Sequence, residues 1–414
     1  MLTPTFISKK EHMFNSYGKE LSLIFITPGD YVSLIAKGVA PMILERDEGG
    51  FFKKVFNVHP YASQTQSLNL NETHRLIEFG RDYPFSFLNS NLGKKVNYLF
   101  KPLWIVNALI FLVKTEHIDM IRATDPFWCG FYAWVVSKLT HIPYCISIHA
   151  DYNKRYRLAG RKGGIPLLFK ILEKFVLPRA QLVMPIRESL GQKLLDKGVN
   201  RERIRVIPHG ISTHDFMRGD VENIKESFGI PSDKKLLSFV GRLAKDNYVY
   251  DLIELARRLS ETRSDFVILL VGDGLERGRL EELIQKYHLS SFVMFPGFQP
   301  KERVISIRRQ SLIALSLMGG FSLIEACAAG CPIISYDVEW HYELVENGRT
   351  GFLVKENNLE ALTHAVSYLL DHPAEAEEMG VRAQKLAFSR HDISKTSEMK
   401  KNYYRELLQY RVSS

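Results

Sequence analysis

Cysteine is scarce, with four in 414 residues. Cys129, Cys145, Cys327 and Cys331 form no CxxC pair and no Cys/His cluster at zinc spacing. A disulfide scaffold is thereby excluded, no structural metal site is expected, and the thiols read as small buried apolar groups in a reducing compartment. Long apolar runs are missing as well. The longest, residues 102–113 (PLWIVNALIFLV), falls short of the roughly 20 residues that cross a bilayer. The start, MLTPTFISKKEHMFNSYGKE, lacks the apolar core of a secretory signal. There is no GxGxxG and no GxxxxGK[ST], so dinucleotide and P-loop readings have no direct support, and no fixed-period repeat or low-complexity tract is present. Ordinary apolar content (45%), with 27 Gly and 17 Pro, rules out collagen-like and disordered classes.

Positive charge is what the sequence has in excess. The net charge is +9, which invites an anionic partner: nucleic acid, a membrane surface or a phosphorylated small molecule. The excess is local. Residues 151–212 hold 14 Lys and Arg against 5 Asp and Glu, whereas residues 213–414 hold 26 against 29. Five basic residues, Lys154, Arg155, Arg157, Arg161 and Lys162, interleave with Tyr152 and Tyr156 directly after His149. This segment reads either as a solvated loop or as a contact for a phosphate-bearing acceptor or anionic head groups. No recognised nucleic-acid module accompanies it, so nucleic acid is not expected as a partner.

Short Val-, Ile- and Phe-rich runs alternate with helically spaced segments, the pattern of βα units around parallel sheets. Strands are predicted at residues 21–27, 118–124, 144–149, 182–186, 204–208, 236–240, 266–271, 293–295, 312–317 and 332–336. The run 102–113 is continuously apolar and predicts a buried helix rather than a one-sided interfacial one. Pro208 and Gly210 suggest a linker, giving an N-terminal domain over 1–210, a second domain over 211–390 and a terminal helix over 391–414.

Glycines recur where predicted strands end: Gly241-Arg242-Leu243, Gly272-Asp273-Gly274, Gly297-Phe298, and Gly319-Gly320 ahead of a helix containing Ser322 and Glu325. Ligands bind open α/β sheets at that edge, and a helix start offers free N–H groups to phosphate. A carboxylate such as Glu325 nearby repels anions, so its partner there would be a neutral hydroxyl such as a ribose diol; otherwise it merely favours the helix dipole.

Taken in order, VGRL, VGDG, VMFPG, GGFSLIEACAAGCP, ELVENG and TGFLV resemble the nucleotide-sugar domain of GT-B glycosyltransferases of family 4. Residues 117–119, 147–151, 183–186 and 203–210 resemble that family's acceptor domain and hinge. The resemblance covers roughly residues 115–370. It implies an α/β GT-B fold, two Rossmann-like domains with parallel sheets facing a central cleft, and a final helix crossing back to the first domain. It implies a retaining, metal-independent transfer of sugar from a nucleotide sugar to a glycan or lipid-linked acceptor, in surface polysaccharide or glycoconjugate synthesis. No cofactor is expected, the nucleotide sugar being a co-substrate; the setting is cytoplasmic, with peripheral contact to an anionic membrane. Arg242 falls on the family's diphosphate-binding Arg, His149 on its active-site His, and Glu325 on the second of its two glutamates. The family's Lys, five residues after the Arg, is here Asn247, with Lys245 as a substitute. The first glutamate falls on Leu317. Gly241, Gly297, Phe298, Gly319, Gly320, Phe321 and Ser322 complete the expected donor site. The two departures keep a rival reading open, a non-catalytic nucleotide-sugar or glycan-binding protein; a GT-B sugar-nucleotide epimerase is another.

Overall fold

The computed structural model describes residues 20–36, 40–80, 91–150, 164–217 and 222–409. The chain divides into two units. One comprises residues 1–207 and 397–414; the other is the intervening stretch 208–396.

In the first unit, seven strands stand in the order β3-β4-β2-β1-β5-β6-β7. They are β1 Ser22–Ile26, β2 Lys54–His59, β3 Gln66–Asn69, β4 His74–Glu78, β5 Met120–Ala123, β6 Tyr144–Ile148 and β7 Leu182–Pro185. All pairings are parallel except β3 with β4. Parallel strands are buried on both faces and therefore read as unbroken apolar runs; β1 and β6 fit that rule, each buried along its whole length. The sequence reading misses β2, β3 and β4. It also places a strand at 204–208, where the chain runs beside β7 through one bridge, Ile204 with Val183, and two backbone bonds, Arg205 N–H to the Val183 carbonyl and Ile207 N–H to the Pro185 carbonyl, without forming a full strand. Pro208 and the polar residues after it leave too little chain for a ladder.

The run 102–113 is a second correction. It lies in the helix Asn91–Glu116, with Ile105, Val106, Leu109, Leu112 and Val113 buried but Leu103, Trp104 and Phe111 exposed. The helix is one-sided after all: an unbroken apolar stretch longer than one turn must face every direction, and the sheet covers only one.

In the second unit six parallel strands run β10-β9-β8-β11-β12-β13: β8 Lys235–Val240, β9 Phe266–Val271, β10 Val293–Gly297, β11 Ile313–Leu315, β12 Ile333–Tyr336 and β13 Gly351–Val354. One core, including Leu237, Phe239, Ile268, Leu270, Leu315 and Leu317, fills one side of this sheet. The helix Ile393–Gln409 starts in the second unit and returns to the first. There Tyr404, Leu407 and Leu408 pack against Leu23, Phe52 and Met184. Beside them Arg122, buried, donates to Glu48, to Ser147 and to the Tyr404 hydroxyl, and Lys400 reaches Glu48 at 2.8 Å. Among the described residues no helix is long and apolar enough to cross a membrane.

Candidate donor site

Three loops gather at the carboxyl edge of β8, β9 and β11. The first two fit together because two glycines lack side chains. Gly272, at φ +127°, would carry a Cβ only 2.0 Å from the Gly241 carbonyl oxygen, and a Cβ on Gly274 would lie 2.3 Å from that of Leu243. Backbone bonds lock the pair: Gly241 N–H to Val271, Leu243 N–H to Asp273, Glu276 N–H to Leu243. A further bond, Gly272 N–H to the Gly297 carbonyl, brings in the end of β10. Phe298, next along, is 85% exposed.

Arg242 projects from this platform, 66% exposed and paired with Asp246 at 2.6 Å. Such a surface pair is worth at most about 1 kcal/mol, so a diphosphate can displace the carboxylate. Lys245 is exposed and makes no ion pair among the described residues. Asn247 does not stand in for the missing Lys: its amide donates to the Arg242 carbonyl at 2.7 Å, bracing the loop that carries the arginine.

The third loop runs from β11 into the helix Phe321–Ala328. Leu317 is fully buried in the core of the second unit. The side chain at that position points away from any ligand, which removes the first of the family's two carboxylates. Gly319 also departs from the expectation. Its N–H donates to His341 Nε2 at 3.1 Å, and a Cβ there would meet Ser316 Oγ at 2.4 Å. That N–H is therefore held inward and is not offered to a ligand. His341 itself is fully buried, with Nδ1 against Ser335 Oγ and the Tyr336 carbonyl. The N–H groups of Gly320, Phe321 and Ser322 find no acceptor among the described residues, as the first turn of a helix dictates. Phe321, 44% exposed, meets the His209 ring edge-on at 5.9 Å.

Glu325 lies one turn into this helix and is held by a residue that sequence reasoning missed. Arg308, on the helix Lys301–Gln310, is 1% exposed. Its Nη1 reaches Glu325 Oε2 at 2.6 Å and its Nη2 donates to Ser322 Oγ at 2.8 Å. Ser322 Oγ in turn donates to the Val240 carbonyl at 2.6 Å, the last residue of β8. One buried guanidinium thus ties the carboxylate, the helix start and the arginine-bearing loop into a single network. Glu325 keeps partial exposure, with 23% of its side chain open, so Oε1 remains for a ligand.

His149 stands in the first unit, exposed, just past the end of β6. Lys154, Arg155, Arg157, Arg161 and Lys162 lie outside the described residues. All four cysteines are buried and free, and burial pushes the thiols of Cys145, Cys327 and Cys331 up to about 12. They have no nucleophilic use at neutral pH. No group of three His, Cys, Asp or Glu able to hold a metal ion occurs among the described residues.

Comparison with known proteins places this geometry. Residues 220–386 match the family model "Glycosyl transferases group 1", and residues 73–215 match "Glycosyltransferase Family 4". A 2-deoxystreptamine glucosyltransferase of Streptomyces kanamyceticus is 25% identical over 287 residues, covering 66% of this chain and 74% of that one. A D-inositol 3-phosphate glycosyltransferase of Nocardia farcinica is 29% identical over 62% of this chain and 60% of its own. Among solved structures, Anabaena Alr3699/HepE in complex with UDP superimposes with a TM-score of 0.72 at 16% identity, covering 93% of this chain and 100% of that one. Sucrose-phosphate synthase of Thermosynechococcus elongatus gives 0.70 at 18% identity, over 94% and 100%. The two family models, meeting near residue 217 on sheets of GT-B topology, make this chain a GT-B glycosyltransferase of the group 1, family 4 type.

Proposed function

We propose that the enzyme transfers a sugar, with retention and without a metal ion, from a nucleotide sugar to a glycan or lipid-linked acceptor in surface polysaccharide or glycoconjugate synthesis. The reading rests above all on the β11-to-helix turn, where three unpartnered N–H groups stand beside a carboxylate clamped by Arg308. An anion and a hydroxyl donor are wanted at adjacent points, and a nucleoside diphosphate supplies both. The solved structures of Anabaena Alr3699/HepE in complex with UDP and with UDP-glucose support the same reading.

In this reading the N–H groups of Gly320, Phe321 and Ser322, together with Arg242 and Lys245, meet the charge that grows on the departing diphosphate. Glu325 Oε1 accepts from the ribose hydroxyls. Gly297 and Phe298 border the base, and His149 keeps the role of the family's active-site histidine on which it falls. The acceptor oxygen bonds to the anomeric carbon on the face from which the phosphate oxygen leaves, and a phosphate oxygen takes the acceptor's proton. Work on a lipid-linked acceptor places the enzyme at the cytoplasmic face of a membrane.

A thermal-shift panel of uridine, guanosine and cytidine nucleotides tests this directly. A nucleotide at a hundred times its dissociation constant stabilises the fold by about 2.7 kcal/mol. Arg242→Ala is expected to weaken that ligand at least tenfold while leaving the unliganded midpoint unchanged. Absence of any nucleotide-induced shift, or an undiminished shift in the variant, overturns the assignment.

A further inference from the structure

Gly320 is exposed, and a Cβ built on it would meet no atom within 4 Å, so no packing holds its peptide in place. Two glycines in succession give the most permissive backbone a turn can have. The hold lies one residue earlier. Gly319 is buried, and both of its polar backbone groups face the His341 ring: the N–H donates to Nε2 at 3.1 Å, and the carbonyl oxygen lies 3.0 Å from the same nitrogen. In a trans peptide the C=O and the N–H that follows it point in opposite directions. A Gly319 carbonyl turned toward the buried imidazole therefore turns the Gly320 N–H outward.

The ring is itself fixed from behind. Its Nδ1 bonds the Ser335 hydroxyl and lies 3.2 Å from the Tyr336 carbonyl, and Ser335 Oγ donates to the Ser316 carbonyl at 2.8 Å. Ser316 opens the same turn, so one imidazole and one hydroxyl close residues 316–319 into a loop. All three side chains are buried, those of His341 and Ser335 completely. Trp340 and Leu344, which flank the one-turn helix His341–Glu343, pack with Leu323 and Ile324 of the donor-site helix. An apolar side chain of similar size would bury at less cost; the backbone group that the ring holds explains its presence.

We propose that His341 is a positioning residue for sugar transfer: braced by Ser335, it fixes the Gly319–Gly320 peptide so that the Gly320 N–H meets the departing diphosphate already oriented. It touches no substrate and acts through the turn. A donor set in advance needs no reorganisation as charge develops. The proposal rests on the donor reading above and adds where the orientation comes from.

Two variants of the full chain separate the hydrogen bond from the packing. His341→Leu fills the space but accepts nothing, whereas His341→Gln keeps an acceptor for the Gly319 N–H. Binding of UDP, GDP and CDP, and of the matching nucleosides, is measured by calorimetry, with thermal midpoints recorded alongside. His341→Leu is expected to weaken the diphosphate about tenfold, the worth of one oriented hydrogen bond. The nucleoside, held through Phe298 and Glu325, should bind as before, and His341→Gln should recover most of the loss. Should His341→Leu fail to fold, Ser335→Ala, which releases the ring from behind, is expected to weaken the diphosphate about threefold in the same comparison. In the free chain, hydrogen exchange of residues 318–322 should quicken in His341→Leu while β9 keeps its parental rate. Failure of the parent to bind any diphosphate overturns the donor reading and this proposal with it. Where the parent binds, the proposal alone is overturned by undiminished diphosphate affinity or unchanged exchange in folded His341→Leu, by equal losses for nucleoside and diphosphate, or by no recovery in His341→Gln.

Discussion

Arg308 and Glu325 form the pair on which any mutational study of this enzyme will turn. Their contact at 2.6 Å joins a guanidinium that is 2% exposed to a carboxylate that is 23% exposed, so removing either one strands the other. Breaking a buried pair from one side costs about 3–5 kcal/mol. Glu325→Ala is accordingly expected to lower the urea midpoint as well as donor affinity, because Arg308 is left charged and unpaired. Glu325→Gln retains an acceptor for Arg308 and should lose donor affinity with a much smaller loss of stability. Paired urea titrations and nucleotide-binding curves check this; equal stability of the two variants would contradict it. Arg308→Lys keeps the charge but cannot serve Glu325 and Ser322 together. It should raise donor KM several-fold with little change in kcat. Glu325 was legible because its spacing from Gly320 matches a family motif. Arg308 was not, since KERVISIRRQ reads as a charged surface helix. Its one signal is weak: Arg308 falls three residues after Ile305, on the helix's buried side.

In the second unit β8 to β12 were readable and β13 was not predicted as a strand; in the first unit β1 was readable but β2, β3 and β4 were not, for a physical reason. β9 is FVILLV, apolar throughout and buried throughout. β2 and β4 bury polar side chains instead: Asn57 accepts from Arg46 at 2.8 Å, and His59 Nδ1 lies 2.7 Å from Glu78 Oε1. Each of these two groups bonds a partner distant in sequence, which breaks the apolar pattern, although His59 Nε2 and His74 Nε2 are buried without a hydrogen-bond partner. Gly319 illustrates the complementary case. The motif promised a ligand-facing N–H, but His341, 22 residues on, captures it, and no local pattern reports that contact. At this scale the loop pairing of Gly241 and Gly272 is the most fragile joint. Gly272→Ala puts a Cβ 2.0 Å from a carbonyl oxygen at a backbone angle of +127°. A loss of at least about 3 kcal/mol is expected, seen as a lowered thermal midpoint together with weaker nucleotide binding. A variant of parental stability would show that the two loops can separate.

For the molecule as a whole, titration sets the stable pH range. Burial holds the imidazoles of His59, His74 and His391 below their ordinary value, desolvation being the largest cause in each. Their neutral forms are favoured in the folded chain, so their contribution is complete above the unfolded value near about 6.5 and is lost as pH falls through the depressed native values. Carboxylates add a second stage. Hydrogen bonds from Arg257 and Arg258 lower Glu254 to about 2, and Arg263 and Lys235 lower Asp265. Their stabilisation is present above the ordinary carboxylate range and disappears below it. Urea midpoints measured from pH 8 downward should stay level to about 6.5, decline gently, then fall steeply below about 4.5. A midpoint that rises between pH 6.5 and 5 would refute the histidine assignment. The division of charge belongs to this scale too: the basic excess was legible at once, and the segment 151–162 holds only five of its 14 basic residues. The exposed lysines of the helix Gly164–Val176 carry it onward.

The route of the chain has a consequence for synthesis. Residues 208–396 are inserted within the first unit, whose last helix supplies Tyr404 and Leu407 to its core and Lys400 to Glu48. A ribosome finishing Ile207 has made seven strands whose closing piece does not yet exist, and the insert takes roughly 10 to 40 seconds to emerge. The second unit, contiguous in sequence, is complete before the first. During that interval Arg122 keeps Glu48 and Ser147 but lacks the Tyr404 hydroxyl, Glu48 lacks Lys400, and the face of the sheet that receives Tyr404 is wet. The nascent first unit is therefore the chain's most aggregation-exposed species, and its maturation is timed by the translation of its neighbour.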